Sequence, residues 1–399
     1  MILTAKQVAL REYYQEVFKE WEALDNNLQN VFTPYDLCDK MIDKVCKYCE
    51  LKGKKILVTN LEFAIVLIER GIDPKDICFL TDCEQKAKFG QKIGVEIMSD
   101  DFFDFFEKVK EKKEVRTWDC VIGNPPYQNP KNRKNAEVNK GVCGSTLWDK
   151  FISSSFEICN IDGICAFISP GQWRKPDHKL FDLFREKDVK YVEIHNMNDG
   201  LKQFGVQTGY DITITKNSIT NRKTIIVDDN GNSGTYDLSS MPFIPNSLID
   251  RIFSLMAKNK EKRVELLYSR SAYGTDKSNM SQSKTDEFKY PCVYGLTRKD
   301  GLKIWYSNTK ENGHFGIKKI IIPNSKCTLS HYDKNGEYGI CQFAFGIKVD
   351  SDKEAKIVED VLNSKEFDDI WCATEWVYNT KNWQIMKYLK KDFWKEFVK

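Results

Sequence analysis

The chain has 399 residues, enough for one large core or two moderate ones, and its 41% hydrophobic and 30% charged residues are typical of a soluble globular protein. Its 61 basic and 58 acidic residues give a net charge of +3, which excludes a strong overall attraction to polyanions. No apolar run reaches the roughly 20 residues that cross a bilayer, which excludes a membrane-spanning role. Thirteen cysteines without regular spacing, and the lack of a signal peptide, favour free thiols in the cytoplasm.

Two helices are predicted at the beginning of the chain. Apolar residues recur at helical spacing from about residue 5 to residue 24. Thr33 and Pro34 are typical of an N-cap and a first-turn proline, so a second helix is predicted to run to about Cys49. Cys46 and Cys49 have the spacing of a metal knuckle, but no second pair follows, and packing on an apolar helix face is favoured over zinc.

After Gly53 short apolar runs alternate with amphipathic stretches, a pattern typical of a parallel sheet with crossover helices. The predicted strands are 55–59, 77–81, 95–98, 118–122, 164–169, 189–194, 210–215 and 223–227. The predicted helices are 61–70, 84–93, 102–112 and 147–159. The last two strands are close enough to form a hairpin at an antiparallel edge. The sequence therefore predicts a doubly wound, mostly parallel α/β sheet.

The turn-rich stretch 228–240, with Asn230-Gly231, is the predicted boundary between two domains, residues 1–235 and residues 236–399. Beyond it the strand–helix rhythm stops, and the polar stretch 269–289 is predicted to be a long exposed loop. A smaller mixed α+β domain is predicted to follow, with strands near 318–323 and 338–349 and a helix over 352–363.

The strongest chemical signal is a buried strand that runs directly into Asn124-Pro125-Pro126-Tyr127. Ligands of open α/β sheets bind beyond the carboxyl ends of the strands, where this turn is expected. The prolines lack N–H donors, so the Asn124 amide oxygen and the Pro125 carbonyl are free to accept both hydrogens of an exocyclic amine. Tyr127 is suited to stack on a planar base that has been flipped out of a duplex. A purely structural strand exit is the competing interpretation.

The tetrad resembles the catalytic motif of amino-methyltransferases that use S-adenosylmethionine, whose substrates include DNA adenine, the glutamine amide of release factors and some RNA bases. Further motifs resemble the type II N6-adenine DNA methyltransferases of restriction-modification systems in which cofactor motifs precede the target-recognition domain. These motifs are Phe32-Thr33-Pro34, Phe79-Leu80-Thr81-Asp82 with Glu84 as a rival acid, Asp101-Phe102-Phe103, and the loop Pro170-Gly171-Gln172-Trp173. Residues 319–365 are similar to the recognition domain of the same methylases.

This resemblance implies S-adenosylmethionine as the cofactor and double-stranded DNA as the partner. It places Thr33, Pro34, Asp82 and Asp101 at the cofactor. It also places Trp173 against the DNA, behind the flipped base. It places a polar and basic segment on the DNA as well, with the residues Gln128, Lys131, Arg133 and Lys134. Sequence readout is expected from the carboxy-terminal domain. A restriction-system or assembly partner is compatible with the family, and the oligomeric state is left open.

One segment departs from the family pattern. Where a glycine-rich turn is expected between the first strand and helix, the chain reads Thr59-Asn60-Leu61-Glu62-Phe63. A Leu or Phe side chain is expected to occlude a site that glycines leave open. Two outcomes follow: Asn60 and Glu62 hold the methionine end of the cofactor in a rebuilt pocket, or the chain is a catalytically silent DNA-binding or assembly subunit. Methylation of a protein glutamine or RNA is a third hypothesis, which the extra domain and the basic loop count against.

Overall fold

The computed structural model describes residues 3–24, 32–99, 105, 111, 117–127, 146–219, 223–269, 273–297, 299, 301–324, 329–377 and 382–398. The chain divides into two compact units, Met1–Phe243 and Ile244–Lys399. Within the described ranges, no helix has both the length and the apolar character needed to cross a membrane.

The first unit alternates strands and helices, as the sequence pattern predicts. Its helices are α1 (Ala5–Leu24), α2 (Tyr35–Val45), α3 (Leu61–Glu69), α4 (Glu84–Lys92), α5 (Trp148–Ile158), α6 (Lys179–Glu186) and α7 (Met197–Phe204). Its strands are β1 (Ile56–Val58), β2 (Ile77–Leu80), β3 (Glu96–Met98), β4 (Trp118–Gly123), β5 (Cys159–Pro170), β6 (Lys187–His195), β7 (Tyr210–Ile219), β8 (Thr224–Val227) and β9 (Ser233–Tyr236). The predicted helix over 102–112 lies outside the described residues, apart from Phe105 and Glu111.

These strands form one sheet in the order β3-β2-β1-β4-β5-β7-β6-β8-β9. The first five are parallel to one another, β7 is antiparallel to both of its neighbours, and β8 is parallel to β6. The predicted α/β class with a mostly parallel sheet is confirmed. Strand order reverses between β1 and β4, so the crevice beyond their carboxyl ends is where a ligand is expected to bind.

The predicted hairpin between residues 210–215 and 223–227 is wrong, because β6 lies between β7 and β8 in the sheet. The antiparallel strand β7 is therefore interior, and Ile212 and Ile214 are fully buried within it. The turn-rich stretch forms a different hairpin, in which the Asp228 N–H donates to the Asn232 carbonyl at 2.9 Å and Gly231 has φ +82°. It joins β8 to β9 inside the first unit, so the predicted boundary at residue 235 falls within β9.

The second unit contains helices α8 (Ile249–Ser254), α9 (Asp352–Leu362) and α10 (Lys365–Ala373). Its strands are β10 (Leu266–Leu267), β11 (Met280–Ser281), β12 (Tyr290–Thr297), β13 (Gly301–Ser307), β14 (Lys319–Pro323), β15 (His331–Asp333), β16 (Gly339–Ile340) and β17 (Ala344–Lys348). They form two four-stranded sheets, β10-β17-β14-β15 and β11-β13-β12-β16. The predicted exposed loop 269–289 is partly wrong, because Tyr273 is fully buried and its hydroxyl donates to the Glu311 carbonyl at 2.5 Å.

Candidate active site

The carboxyl ends of β1 and β4 are joined by one side chain. Asn60 follows β1, and its Oδ1 accepts a hydrogen bond from the backbone N–H of Asn124 at 2.8 Å and from the Thr59 hydroxyl at 2.7 Å. Asn60 has φ −137° and ψ 134°, an extended conformation that any residue adopts, so this turn does not require glycine. The side chain of Asn60 therefore holds the first residue of the tetrad in place.

The Asn124 side chain is almost completely buried, and its orientation is set by Thr33, which lies just before α2. Its Nδ2 donates to the Thr33 hydroxyl at 3.3 Å, which turns Oδ1 away from that contact. Pro125 and Pro126 are also buried. The predicted N-cap role of Thr33 is wrong, because α2 begins at Tyr35 after Pro34 with no side-chain cap, and the Thr33 hydroxyl is used by Asn124 instead.

Glu62 connects the first turn of α3 to the same set. Its Oε1 accepts the backbone N–H of Thr33 at 3.0 Å. Burial raises the pKa of this carboxyl group, and the charge of Lys86 opposes that shift. Lys86 is itself buried, with its ammonium 5.0 Å from the centre of the Phe18 ring. Three separate segments thus bring Thr33, Asn60, Glu62 and Asn124 into one bonded set.

The two apolar side chains of the rebuilt turn point away from this set. Leu61 and Phe63 are buried in the hydrophobic core together with Phe79. A Leu61 methyl group lies 3.4 Å from the position that a Cβ on Gly90 would occupy, so Leu61 packs on α4. The expected occlusion by Leu or Phe is wrong, because both side chains fill the core and leave the polar side chains at the carboxyl edge.

The rebuilt turn offers groups that fit the amino-acid end of S-adenosylmethionine. The Nδ2 of Asn60 is buried and has no hydrogen-bond partner among the described residues, so it is a free donor for a carboxylate. Glu62 supplies a carboxyl group suited to an ammonium. The turn without glycines therefore has a side-chain amide donor and a side-chain carboxyl group at the carboxyl edge of the sheet.

Tyr127 lies beside a buried ion pair that sequence reasoning missed. Its hydroxyl is buried without a partner in the described ranges, and burial together with the charge of Asp211 raises its pKa. Asp211 is the second residue of β7 and lies opposite Ser169 of β5, and its Oδ2 accepts a hydrogen bond from Arg174 Nε at 2.7 Å. The two partners are 37 positions apart, and neither belongs to a motif, so only the sheet register reveals them.

Other predicted site residues have different surroundings. Trp173 is fully buried with its ring centre 4.7 Å from that of Phe184, so the structure does not place it on a surface that contacts DNA. Asp82 follows β2 and is exposed at the carboxyl edge. Its rival Glu84 is paired with Lys88 at 2.6 Å. Asp101, Gln128, Lys131, Arg133 and Lys134 lie outside the described residues. In the part of the chain that the structure describes, no three His, Cys, Asp or Glu side chains are grouped to hold a metal.

The strand order is that of a Rossmann-like fold, and the Asn-Pro-Pro-Tyr turn follows β4 at the carboxyl edge, where ligands of such sheets bind. Residues 18–205, just under half of the chain, match the family model of the Eco57I restriction-modification methylase. The resemblance to restriction-modification methylases is therefore confirmed for this segment.

Solved structures similar to the chain include restriction-modification proteins at low identity. The type IIG restriction endonuclease BpuSI is 10% identical, with 92% of this chain and 60% of that chain covered and a TM-score of 0.44. The type IIL enzyme MmeI, solved in complex with DNA, is 12% identical, with 97% and 66% covered and a TM-score of 0.43. A modification subunit from Vibrio vulnificus YJ016 is 10% identical, with 57% and 53% covered and a TM-score of 0.41. The chain thus spans between half and two thirds of each of these proteins. A search of curated proteins finds no match.

Proposed function

We propose that the protein transfers a methyl group from S-adenosylmethionine to N6 of an adenine that is flipped out of double-stranded DNA. The observation that carries this proposal is the position of Asn124 beyond β4. Asn60 holds its backbone, Thr33 holds its amide nitrogen, and its amide oxygen is left as the acceptor. The match of residues 18–205 to a restriction-modification methylase family supports the same substrate class.

The tetrad acts on the amino group by hydrogen bonding alone. Asn124 Oδ1 and the Pro125 carbonyl accept the two N–H groups of the adenine amine, which draws its nitrogen lone pair out of conjugation with the ring. Because both prolines lack N–H donors, no neighbouring backbone group of the turn competes for these bonds. Tyr127 stacks on the base, and a stack of about 1–3 kcal/mol offsets much of the few kcal/mol that flipping costs.

S-adenosylmethionine, when bound, supplies the electrophilic methyl group. Asn60 Nδ2 would donate to its carboxylate, Glu62 would accept from its ammonium, and Asp82 would accept from its ribose hydroxyls. Burial raises the pKa of Glu62 and so favours its neutral form, whereas a cation beside it would favour the charged form that pairs with an ammonium.

The proposal assigns DNA contacts to two further parts of the chain. The segment with Gln128, Lys131, Arg133 and Lys134 would bind phosphates beside the flipped base, which gives position and affinity without sequence information. The second unit, Ile244–Lys399, would read the target sequence. MmeI, one of the similar structures, was solved bound to DNA.

A silent DNA-binding or assembly subunit is the second candidate, and the site geometry contains one observation in its favour. Thr33, Asn60 and Glu62 are at most 2% exposed, and hydrogen bonds within the protein already engage all three. Such a set is nearly complete without a ligand, apart from the free Asn60 Nδ2. A relative that has lost its cofactor would be expected to close its site in this way.

The activity is tested by incubating the full chain with S-adenosylmethionine and duplex DNA and measuring N6-methyladenine by nucleoside mass spectrometry. We expect methylation by the natural sequence and a loss of at least about 100-fold in Asn124→Ala, with DNA affinity little changed. Asn230→Ala, at an exposed position in the β8–β9 turn of the first unit, is the matched control and should retain full activity. Equal methylation by Asn124→Ala would contradict the mechanism.

Calorimetry separates the two candidates. An active methyltransferase binds S-adenosylmethionine, and Asn60→Ala should weaken that binding about tenfold or more through the loss of a hydrogen bond to a charged group. If the natural sequence takes up no S-adenosylmethionine with or without duplex DNA, and still binds DNA, the protein is the silent subunit.

A further inference from the structure

A pair of thiols lies near the opposite, amino-terminal edge of the sheet from the candidate active site. Cys49 follows the carboxyl end of α2, and Cys120 is fully buried near the beginning of β4. Their Sγ atoms are 4.0 Å apart. A disulfide bond requires about 2.05 Å, so the two sulfurs must approach each other by about 2 Å to form one.

A cavity of about 500 Å³ opens beside this pair. Cys49 lines it together with Cys46, and Cys49 is half-buried, so a small molecule in the cavity reaches this sulfur before it reaches Cys120. Four charged side chains also line the cavity: Lys47, Lys52, Arg70 and Glu50. Arg70 is already paired with Asp39 and Asp43, so the two lysines against Glu50 leave a small positive excess that favours a small anionic molecule.

The surroundings divide the two thiols into a nucleophile and a resolving group. The hydrogen bond between the two thiols lowers the pKa of Cys49 to about 7, with help from Lys54 and against the effect of burial. The same contact and burial raise the pKa of Cys120. Burial also raises the pKa of Cys46, so Cys46 is the weaker nucleophile of the two thiols in the cavity.

We propose that Cys49 and Cys120 form a thiol–disulfide exchange site that accepts a small anionic disulfide in this cavity. The Cys49 thiolate attacks one sulfur of the disulfide, forms a mixed disulfide and releases one thiolate. Cys120 then attacks the Cys49 sulfur, which breaks the mixed disulfide, and the proton of the buried Cys120 thiol passes to the departing sulfur, so the second small thiol is released. Two protein thiols are oxidised, and one small disulfide is reduced to two thiols. This inference does not depend on the proposed methyl transfer.

The test uses the reduced full chain and oxidised glutathione as the probe. After quenching with N-ethylmaleimide, peptide mass spectrometry should find Cys49 linked to Cys120 with no glutathione retained. Cys120→Ser should retain glutathione on Cys49, and Cys46→Ser should behave like the natural sequence. A Cys46–Cys49 link, or stable glutathione on Cys49 of the natural sequence, would overturn the proposal.

Alkylation rates provide a second measurement that requires no oxidation. At pH 7 Cys49 should react with iodoacetamide about tenfold faster than the exposed Cys372, because about half of it is thiolate. Its rate should reach half of the maximum near pH 7, and in Cys120→Ala this midpoint should move upward. Equal rates for Cys49 and Cys372, or an unchanged midpoint in Cys120→Ala, would refute the assignment of Cys49 as the activated thiol.

Discussion

Each unit of the protein contains one fully buried ion pair, and the two pairs differ in how completely they are hydrogen-bonded. In the first unit Arg174 and Asp211 are 2.7 Å apart with side chains 3% and 0% exposed. In the second unit Lys319 and Asp333 are 2.6 Å apart with side chains 0% and 2% exposed. Distance and burial are thus nearly the same in both.

The carboxylate of the second unit has every oxygen engaged. Asp333 Oδ1 accepts the Glu337 N–H at 2.8 Å, and Oδ2 accepts the Tyr338 N–H at 3.1 Å besides Lys319. Lys319 also donates to the Ile317 carbonyl at 3.2 Å. Such a pair fixes the turn after β15 and is complete by itself.

Asp211 Oδ1, by contrast, has no partner in good hydrogen-bonding geometry in the described ranges, although the Trp173 N–H is close enough to lower the pKa of this carboxyl group. Burial raises the pKa of this carboxyl group, while Arg174 opposes the shift, and its charge acts on the Tyr127 hydroxyl. Unsatisfied buried acceptors are uncommon in native structures and are often found at functional sites. The comparison indicates that the Lys319 pair stabilises its unit, whereas the Arg174 pair is adapted to the site beside Tyr127.

The largest effect is expected for Lys319→Met. Removal of the cation leaves Asp333 as an uncompensated buried charge, which should lower the free energy of unfolding by about 3–5 kcal/mol. Guanidinium unfolding of the full chain, followed by tryptophan fluorescence, measures this change. The neighbouring Lys318 pairs with Asp352 at the surface, so Lys318→Met is the matched control, and its expected cost is much smaller because solvent screens an exposed pair. Similar losses in both variants would break the comparison.

Replacement of each aspartate by asparagine should lower the free energy of unfolding by different amounts in the two pairs. In Asp333→Asn an amide NH₂ must face a backbone N–H or the Lys319 ammonium, so we expect a loss of about 2–3 kcal/mol. In Asp211→Asn the amide oxygen can keep the Arg174 bond and the NH₂ breaks no well-formed bond, so a smaller loss than in Asp333→Asn is expected. Urea unfolding of both variants decides the order, and a costlier Asp211→Asn would reverse our assignment of the two pairs.

A smaller, pH-dependent effect is expected from Glu193, a well-bonded acid of the first unit. Burial raises its pKa, but bonds from His195, Lys40 and Tyr191 lower it from the ordinary 4.5 to about 2. Its stabilising contribution is therefore present above about pH 4.5 and is lost as the pH falls through about 2.

Relative to Glu193→Gln, the natural sequence should lose about 1–2 kcal/mol between pH 6 and pH 2, after allowance for partial exposure. Urea unfolding at several pH values measures this difference. A constant difference between the two proteins across that range would show that Glu193 titrates at its ordinary value, and that good bonding does not distinguish it from Asp211.

Much of the first unit could be predicted from sequence, because each parallel strand is a short apolar run between polar turns. Pairing partners could not, since the position of β6 between β7 and β8 depends on contacts across the whole sheet. Local signals also misled at Thr33, where a tertiary partner 91 positions away competes for the hydroxyl that would cap a helix.

The tetrad itself was predictable, because prolines and an aromatic after a strand have few other uses. Its support was less predictable. That Asn60 bonds the Asn124 backbone follows from the adjacency of β1 and β4, and the inward orientation of Leu61 and Phe63 follows from core packing. The sequence of this turn shows that the glycines are missing. It does not show which of the replacing side chains enter the core and which stay at the carboxyl edge.

The contact between Gly123 and Thr59 constrains how this protein can change over time or in a laboratory library. A methyl group on Gly123 would lie 1.9 Å from the Thr59 hydroxyl oxygen, a clash that a small shift of either strand would not relieve. A larger residue at position 123 therefore requires a smaller residue at position 59. Gly123→Ala should be tolerated only when it is combined with Thr59→Gly. The two strand ends form a coupled pair of sites, so mutational paths through this region are expected to proceed by double steps.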